Sequence, residues 1–342
     1  MLIRVQGASF KQVMETMLKA GKCHINFEVN NNKLYMQRIG LVYIEETIDI
    51  IEVDDVSESI TIMIDPVIKV LSDAADVFIY VIGDLCRIVQ GSFELSAARV
   101  NEDRVKTDVE TIKMNGVYSK GSLLANVSCA KSLDGVQRDN NEVLSDVTIS
   151  GMKAYTTYSN AMLQTELKFP NMTIQGETIR ELSRFISMEG DSAYYFDSEK
   201  ELLYLTIGIN TVAVVPVKSV NPQVAGTFDK ILGNLKHCTN IRISDVVDTI
   251  SVICANYKKQ TVELTICNGG VRIYVDNLVT KFGAGSSAVG LFSMKVSTSQ
   301  LSAIAKLFGA GSNEIEVLKG DNIICLKHGN YNERLMLAGM IY

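Results

Sequence analysis

The chain has 342 residues, with 33 Lys plus Arg against 39 Asp plus Glu for a net charge of −6, and 47 % hydrophobic against 21 % charged residues. That balance supplies a core and excludes a disordered tail, and the length fits two or three domains of about 100–200 residues each. The longest apolar stretches, such as Val77 to Ile82, fall far short of the ~18–20 residues of a membrane span, and the start Met1-Leu-Ile-Arg-Val-Gln lacks a signal-peptide pattern. A cytoplasmic protein with no membrane partner is expected.

Self-similarity organises the predicted elements. A first repeat opens with a helix over 9–20 and strands over 25–29, 33–37 and 41–50. A strand at 60–64, a helix over 67–75 and strands over 77–82, 85–90 and 93–97 complete it. The second repeat has a helix over 120–132, strands over 143–149, 153–157, 162–169 and 172–176, a helix over 177–188, and strands over 193–196, 202–207 and 211–217. In the third, a helix over 245–257 precedes strands over 261–267, 271–275, 278–282 and 292–297. A helix over 299–308 and strands over 314–318, 322–327 and 334–340 follow.

Local signals support these boundaries. Asp65-Pro66 offers an N-cap followed by proline at the first helical position, and Ser297 or Thr298 can cap the last helix. Leu301, Ile304, Ala305 and Phe308 form a stripe at helical spacing, which Gly309 ends. Phe10, Val13, Met14 and Met17 form the same kind of stripe in the first helix. Turns are marked by Asn30-Asn-Asn, Ser150-Gly, Asn268-Gly-Gly and Asp276-Asn. The second helix of each repeat starts at 66, 177 and 299, spacings of 111 and 122 against 114 for a third of the chain. Three tandem α+β units, each of two helices on a β-sheet, account for the whole: 1–104, 105–221 and 222–342, the last with an apolar C-terminal tail.

Catalytic chemistry is poorly supplied. Seven cysteines (23, 86, 129, 238, 254, 267, 325) include no Cys-x-x-Cys pair, which argues against zinc and against a disulfide framework. His24, His237 and His328 are isolated, and no Gly-x-Ser-x-Gly, Walker-type or Gly-x-Gly-x-x-Gly motif occurs. Gly283-Ala-Gly-Ser-Ser reads as a flexible loop, and the pairs Glu45-Glu46 and Asp54-Asp55 as solvated strand ends. The expectation is a non-enzyme with no metal and no cofactor, with a site assembled from scattered carboxylates as the enzymatic alternative.

The helices carry a modest basic excess. Lys11, Lys19, Lys69, Lys120, Lys131, Arg180, Arg184, Lys258, Lys259 and Lys306 lie on or beside them, interleaved with Glu15, Asp73, Glu177, Glu181, Asp245 and Asp248. On an acidic protein this is either the footprint of a polyanion face or an ordinary set of solvated amphipathic helices. No aromatic-studded basic stretch suggests base stacking, so sequence-specific readout is not expected.

Three two-helix units, basic helix faces and an acidic total resemble the plan of DNA polymerase sliding clamps, in particular the three-domain bacterial beta clamp. The likeness is most specific in Met294-Lys-Val-Ser-Thr-Ser-Gln-Leu-Ser-Ala-Ile-Ala-Lys-Leu, in the ending Arg334-Leu-Met-Leu-Ala-Gly-Met-Ile-Tyr342, and in Val143-Leu-Ser-Asp-Val-Thr-Ile and Thr157-Tyr-Ser-Asn-Ala-Met. The resemblance implies a DNA clamp fold closing as a head-to-tail homodimer around double-stranded DNA, with a DNA polymerase and a clamp loader as partners. A clamp-fold scaffold that recruits partners without encircling DNA is the alternative, and the divergence suits a bacteriophage or plasmid version. Carried over by position, a client-peptide pocket would use Leu144, Thr157, Met162, Pro222, Asn322, Met336, Leu337 and Met340; methionines that simply fill core gaps are the plainer reading. Two departures stand out: the turn after the first pocket strand shortens to Ser150-Gly151, and Gly339 replaces the tail proline.

Overall fold

A computed structural model of the protein describes residues 1–54, 59–65, 70–102, 104–105, 107, 109, 112–124, 126, 146–158, 161–186, 191–208, 210–220, 222–242, 244–256, 261–267, 270–275, 278–282, 290–298, 300–301, 314–328 and 334–338. The strands among these residues fall into three octets. The first holds β1 (Leu2–Val5), β2 (Cys23–Asn30), β3 (Lys33–Ile39), β4 (Tyr43–Asp54), β5 (Ile60–Ile64), β6 (Val77–Ile82), β7 (Leu85–Gln90) and β8 (Phe93–Ala98). The second holds β9 (Gly116–Ser119), β10 (Val147–Ser150), β11 (Lys153–Tyr158), β12 (Ala161–Glu166), β13 (Met172–Ile174), β14 (Asp191–Asp197), β15 (Leu202–Thr206) and β16 (Thr211–Pro216). The third holds β17 (Lys236–Ile241), β18 (Thr261–Cys267), β19 (Gly270–Val275), β20 (Leu278–Phe282), β21 (Gly290–Ser297), β22 (Ile315–Lys319), β23 (Ile323–His328) and β24 (Arg334–Ala338).

Pairing repeats from octet to octet, always antiparallel. The second strand pairs with the third and the fifth: β2 with β3 and β5, β10 with β11 and β13, β18 with β19 and β21. The third pairs with the fourth, the sixth with the seventh and the seventh with the eighth. Two further pairings join a fourth strand to the eighth strand of the next octet: β4 with β16 and β12 with β24.

Contacts group the chain into two compact units. One comprises Met1–Val117, Glu181–Ser187 and Asp191–Val217; the other comprises Tyr118–Arg180, Met188–Gly190 and Lys218–Tyr342. The middle third therefore contributes strands to both, since β14–β16 continue the sheet of β4 while β10–β13 continue the sheet of β24.

In the first unit, helix Gly7–Met17 buries Phe10, Val13, Met14 and Met17, the stripe expected from the sequence, and stacks Phe10 on Phe27 of β2 at 6.4 Å. In the second, Ile250 and Ile253 of helix Ser244–Asn256 join a core with Leu264, Ile273, Leu163, Leu335 and Leu337. A reciprocal cap opens the helix after β21: Ser297 Oγ accepts from Gln300 N–H at 3.2 Å, and Gln300 Oε1 accepts from Ser297 N–H at 2.8 Å.

Several expectations are corrected. The helix over 67–75 is not found in its described half, where 71–75 are irregular. The buried Gln90 amide explains this, accepting from Ser72 N–H and donating to the Ser72 and Ala75 carbonyls, each at 2.7 Å. The helix over 177–188 stops at Leu182, where a tight turn follows as Arg184 and Phe185 N–H donate to the Glu181 and Leu182 carbonyls at 3.0 Å. Helix Pro222–Gly233 and strands β1, β9 and β17 were not expected. Glu45, expected in solvent, is 6 % exposed.

Candidate functional site

Strand register builds one apolar row across the second unit. Thr157 of β11 lies opposite Met162 of β12, Met162 opposite Met336 of β24, Met336 opposite Cys325 of β23, and Cys325 opposite Leu318 of β22. Residues directly opposite share a face, so these five side chains form a continuous line. Helix Pro222–Gly233 covers part of it, packing on β10 and β11. Phe228 is fully buried and meets the Tyr155 ring edge-on at 5.5 Å, closing a small core of Tyr155, Phe228, Cys325 and Met336. Met162, Val224, Ile231 and Leu318 pack against that core while remaining partly exposed. Burial pushes the Cys325 thiol up to about 12, so it behaves as an apolar filler.

The expected pocket residues separate accordingly. Thr157, Met162 and Met336 share the row, and Pro222 opens the covering helix. Asn322 is half-buried in the turn between β22 and β23. Leu337 is corrected: it pairs with Ala161 and Ile324 on the opposite face and is fully buried in the large core. Strand alternation forbids Met336 and Leu337 from sharing a face. Leu144 and Met340 lie outside the described residues. Sequence reasoning missed Tyr155, Gln164 and Arg334; each lies two residues along its strand from Thr157, Met162 or Met336, so alternation alone would have placed them on that face.

The basic set is only partly gathered. Lys11 is tied to Asp73 at 3.1 Å. Lys19 is exposed, and Arg184 Nη1 donates to the carbonyl of the adjacent Ala20 at 3.1 Å, so these two cations share one end of the first helix. The polar face of that helix, with Gln6, Ser9, Gln12 and Thr16, borders a groove of 670 Å³ whose other wall includes Glu46 and Asp49. Burial raises the Glu46 carboxyl above its ordinary value, against the Thr211 hydroxyl that donates to it at 3.0 Å and the charge of Lys19. Lys120 starts a helical stretch at 120–124, and Arg180 lies in helix Gly176–Leu182. Lys69, Lys131, Lys258, Lys259 and Lys306 lie outside the described residues.

Among the described residues no three His, Cys, Asp or Glu side chains form a metal-binding group, and no helix is long and apolar enough to cross a membrane. The geometry offers a binding surface built on sheet and helix.

No protein-family model matches the sequence. No curated protein matches it either. Solved structures do. A putative DNA polymerase III beta subunit from Eubacterium rectale has a TM-score of 0.73 at 14 % identity, covering 99 % of each chain. A DNA polymerase sliding clamp from Bacillus subtilis has a TM-score of 0.72 at 13 % identity, covering 100 % of this chain and 99 % of that one. The DNA polymerase III subunit beta from Pseudomonas aeruginosa has a TM-score of 0.70 at 12 % identity over the full length of both. The chain has the α+β fold of these proteins from end to end.

Proposed function

We propose that this chain is a DNA sliding clamp: two copies closed head to tail encircle duplex DNA without reading its sequence and tether a DNA polymerase to it. The observation that carries the reading is the incomplete pairing pattern. Fourth strands pair with the eighth strands of the following octet at β4–β16 and β12–β24, which leaves one fourth strand, β20, and one eighth strand, β8. Among the described residues β20 pairs only with β19 and β8 only with β7. Open edges of this kind invite another chain. A second copy offers β8 to β20 and β20 to β8, so both gaps close at two chains, as a heterologous interface closes when its rotation completes a ring.

The domains under this reading are 1–104, 105–221 and 222–342, with six sheet joints around the ring. Topological hold removes the need for tight phosphate binding, and a helix face whose Lys11 is already neutralised by Asp73 suits weak contacts that permit sliding. Clients would seat apolar side chains on the Met162–Met336 row, raising the polymerase's effective concentration at the template. A clamp loader opens the ring, and the chain itself performs no chemistry.

Negative-stain electron microscopy with the solution mass recorded alongside tests this. Six-lobed rings with a duplex-sized hole at twice 37.6 kDa are expected. Monomers without a hole would remove encirclement and leave a scaffold that recruits partners.

A further inference from the structure

Two residues further along each strand from the methionine row, the same face carries a polar row. Thr148, Tyr155, Gln164, Arg334, Lys327 and Glu316 lie successively opposite one another across β10, β11, β12, β24, β23 and β22. Its outer members are satisfied within the fold. Lys327 Nζ meets Glu316 at 2.9 Å, His237 approaches the same carboxylate at 3.5 Å, and the Thr148 hydroxyl lies 3.5 Å from that of Thr173.

The middle is not satisfied. Gln164 is 2 % exposed and among the described residues its Nε2 has no hydrogen-bond partner, while across the joint the buried Nε of Arg334 also has none. No carboxylate among the described residues forms an ion pair with Arg334. Tyr155 lies directly opposite Gln164 and borders the same spot, with the Arg334 charge and Asp229 of the covering helix near its hydroxyl. Buried amide donors are rarely left unmet, because each forfeits the bond that water would give it. Here the unmet donors adjoin the apolar row at the position where a ligand seated on Met162 would pass.

We propose that Gln164 and Arg334 are specificity-determining residues of the groove: they receive the carboxylate of an acidic side chain in a client peptide whose apolar side chain rests on Met162 and Met336. The inference rests on the client-binding reading of that groove. A charged acceptor is favoured over a neutral one because the Arg334 guanidinium forms no ion pair among the described residues, and charge-assisted hydrogen bonds are the stronger kind. Strand geometry sets the distance. Residues two apart on one face are separated by about 6.6–6.8 Å, so the acid and the apolar anchor belong two positions apart in an extended segment.

The test is calorimetry on the full chain with two acetylated, amidated hexapeptides, Gly-Asp-Gly-Leu-Leu-Gly and its Asn counterpart. The Asp peptide is expected to bind about tenfold tighter, the worth of one charge-assisted contact. In Gln164→Leu with Arg334→Met that ratio should fall to about one. Gln164→Glu, which supplies Arg334 with an internal carboxylate, should reverse the preference and serves should the double variant misfold. An Asp-to-Asn ratio near unity in the native chain, or one unchanged in the variants, would overturn the assignment. Met162→Ala separates the two levels. If it weakens both peptides equally the groove reading stands on its own, whereas if neither peptide binds the native chain, both groove and specificity fall.

Discussion

The two sheet joints, β4–β16 and β12–β24, are built on the same pairing yet covered in opposite ways. At the first, Gln37 lies opposite Glu45 and Glu45 opposite Val212, and the connector after β8 is laced over them. Val105 N–H donates to Gln37 Oε1 at 2.8 Å, Gln37 Nε2 donates to the Val105 carbonyl at 3.0 Å, and both Gln37 Nε2 and the Thr107 hydroxyl donate to Glu45. Arg104 bridges Glu28 at 2.9 Å and Glu45 at 3.7 Å while lying over the Tyr35 ring. At the second joint a helix rests Phe228, Val224 and Ile231 on methionine and tyrosine, with no comparable polar lacing among the described residues. Directional bonds fix one arrangement and leave little for a ligand to gain. A seat of Met and Leu tolerates exchange, since a peptide can replace one apolar contact with another. Under the proposed function, the chemistry of the cover, rather than the joint beneath, would set which one receives a client.

The contrast can be broken at its strongest point by Phe228→Ala. Removing a fully buried ring should cost about 3–5 kcal/mol by urea unfolding and loosen helix Pro222–Gly233 in hydrogen exchange, leaving the first joint protected. Glu45→Ala attacks the polar lock and should cost about 2–3 kcal/mol, because it strands Arg104 and Gln37 donors in a buried site; protection should then fall over 104–107 instead.

Acidity sharpens the same comparison. Burial raises the Glu45 carboxyl, against the Thr107 hydroxyl, the Arg104 charge and the Gln37 amide. The folded chain then holds that proton more tightly than the unfolded chain. Glu45 therefore contributes stability that is fully present below the ordinary 4.5 and lost as pH rises through its raised value. Glu316, in the sheet of the second joint, runs the other way. The hydrogen bond from Lys327 leads in lowering its carboxyl, so its contribution is present above 4.5 and lost as pH falls through the lowered value. Urea midpoints across the acid range should show Glu45→Gln flattening the decline above 4.5 and Glu316→Gln flattening the loss below it.

The smallest effect on folding, within about 0.5 kcal/mol, is expected from Lys19→Glu with Arg184→Glu, since both side chains are exposed. If these cations face duplex, the log–log salt dependence of DNA binding should become shallower by about 2, and an unchanged slope would place DNA elsewhere.

Legibility in the sequence follows the range of the interactions. Strands β6 to β8 could be read to within one residue and the Gly7–Met17 helix to within three, because alternation and the Phe10-to-Met17 stripe are local signals. The irregular 71–75 segment could not, since a glutamine fifteen or more residues onward competes for its backbone. Helix Pro222–Gly233 hid behind Gly226 and Thr227, weak helix formers that tertiary packing overrides. For the site, residue types pointed to Met162 and Met336, but only register separates Met336 from Leu337 and reveals that Glu45 and Gln164 occupy corresponding places under different covers.

The β4–β16 joint also has a temporal side. Glu46 and Thr211 are 165 residues apart, so during synthesis β4 emerges long before its partner exists. Through that interval one edge of β4 stays open on the nascent chain, a template for mispairing of the kind that chaperones shield. Strand pairing over such a separation also slows the search for the native state. The negative charges of Glu45, Glu46 and Asp49 on β4 then act early as gatekeepers: before they lock a connector or border a groove, they keep an unfinished sheet from joining its neighbours.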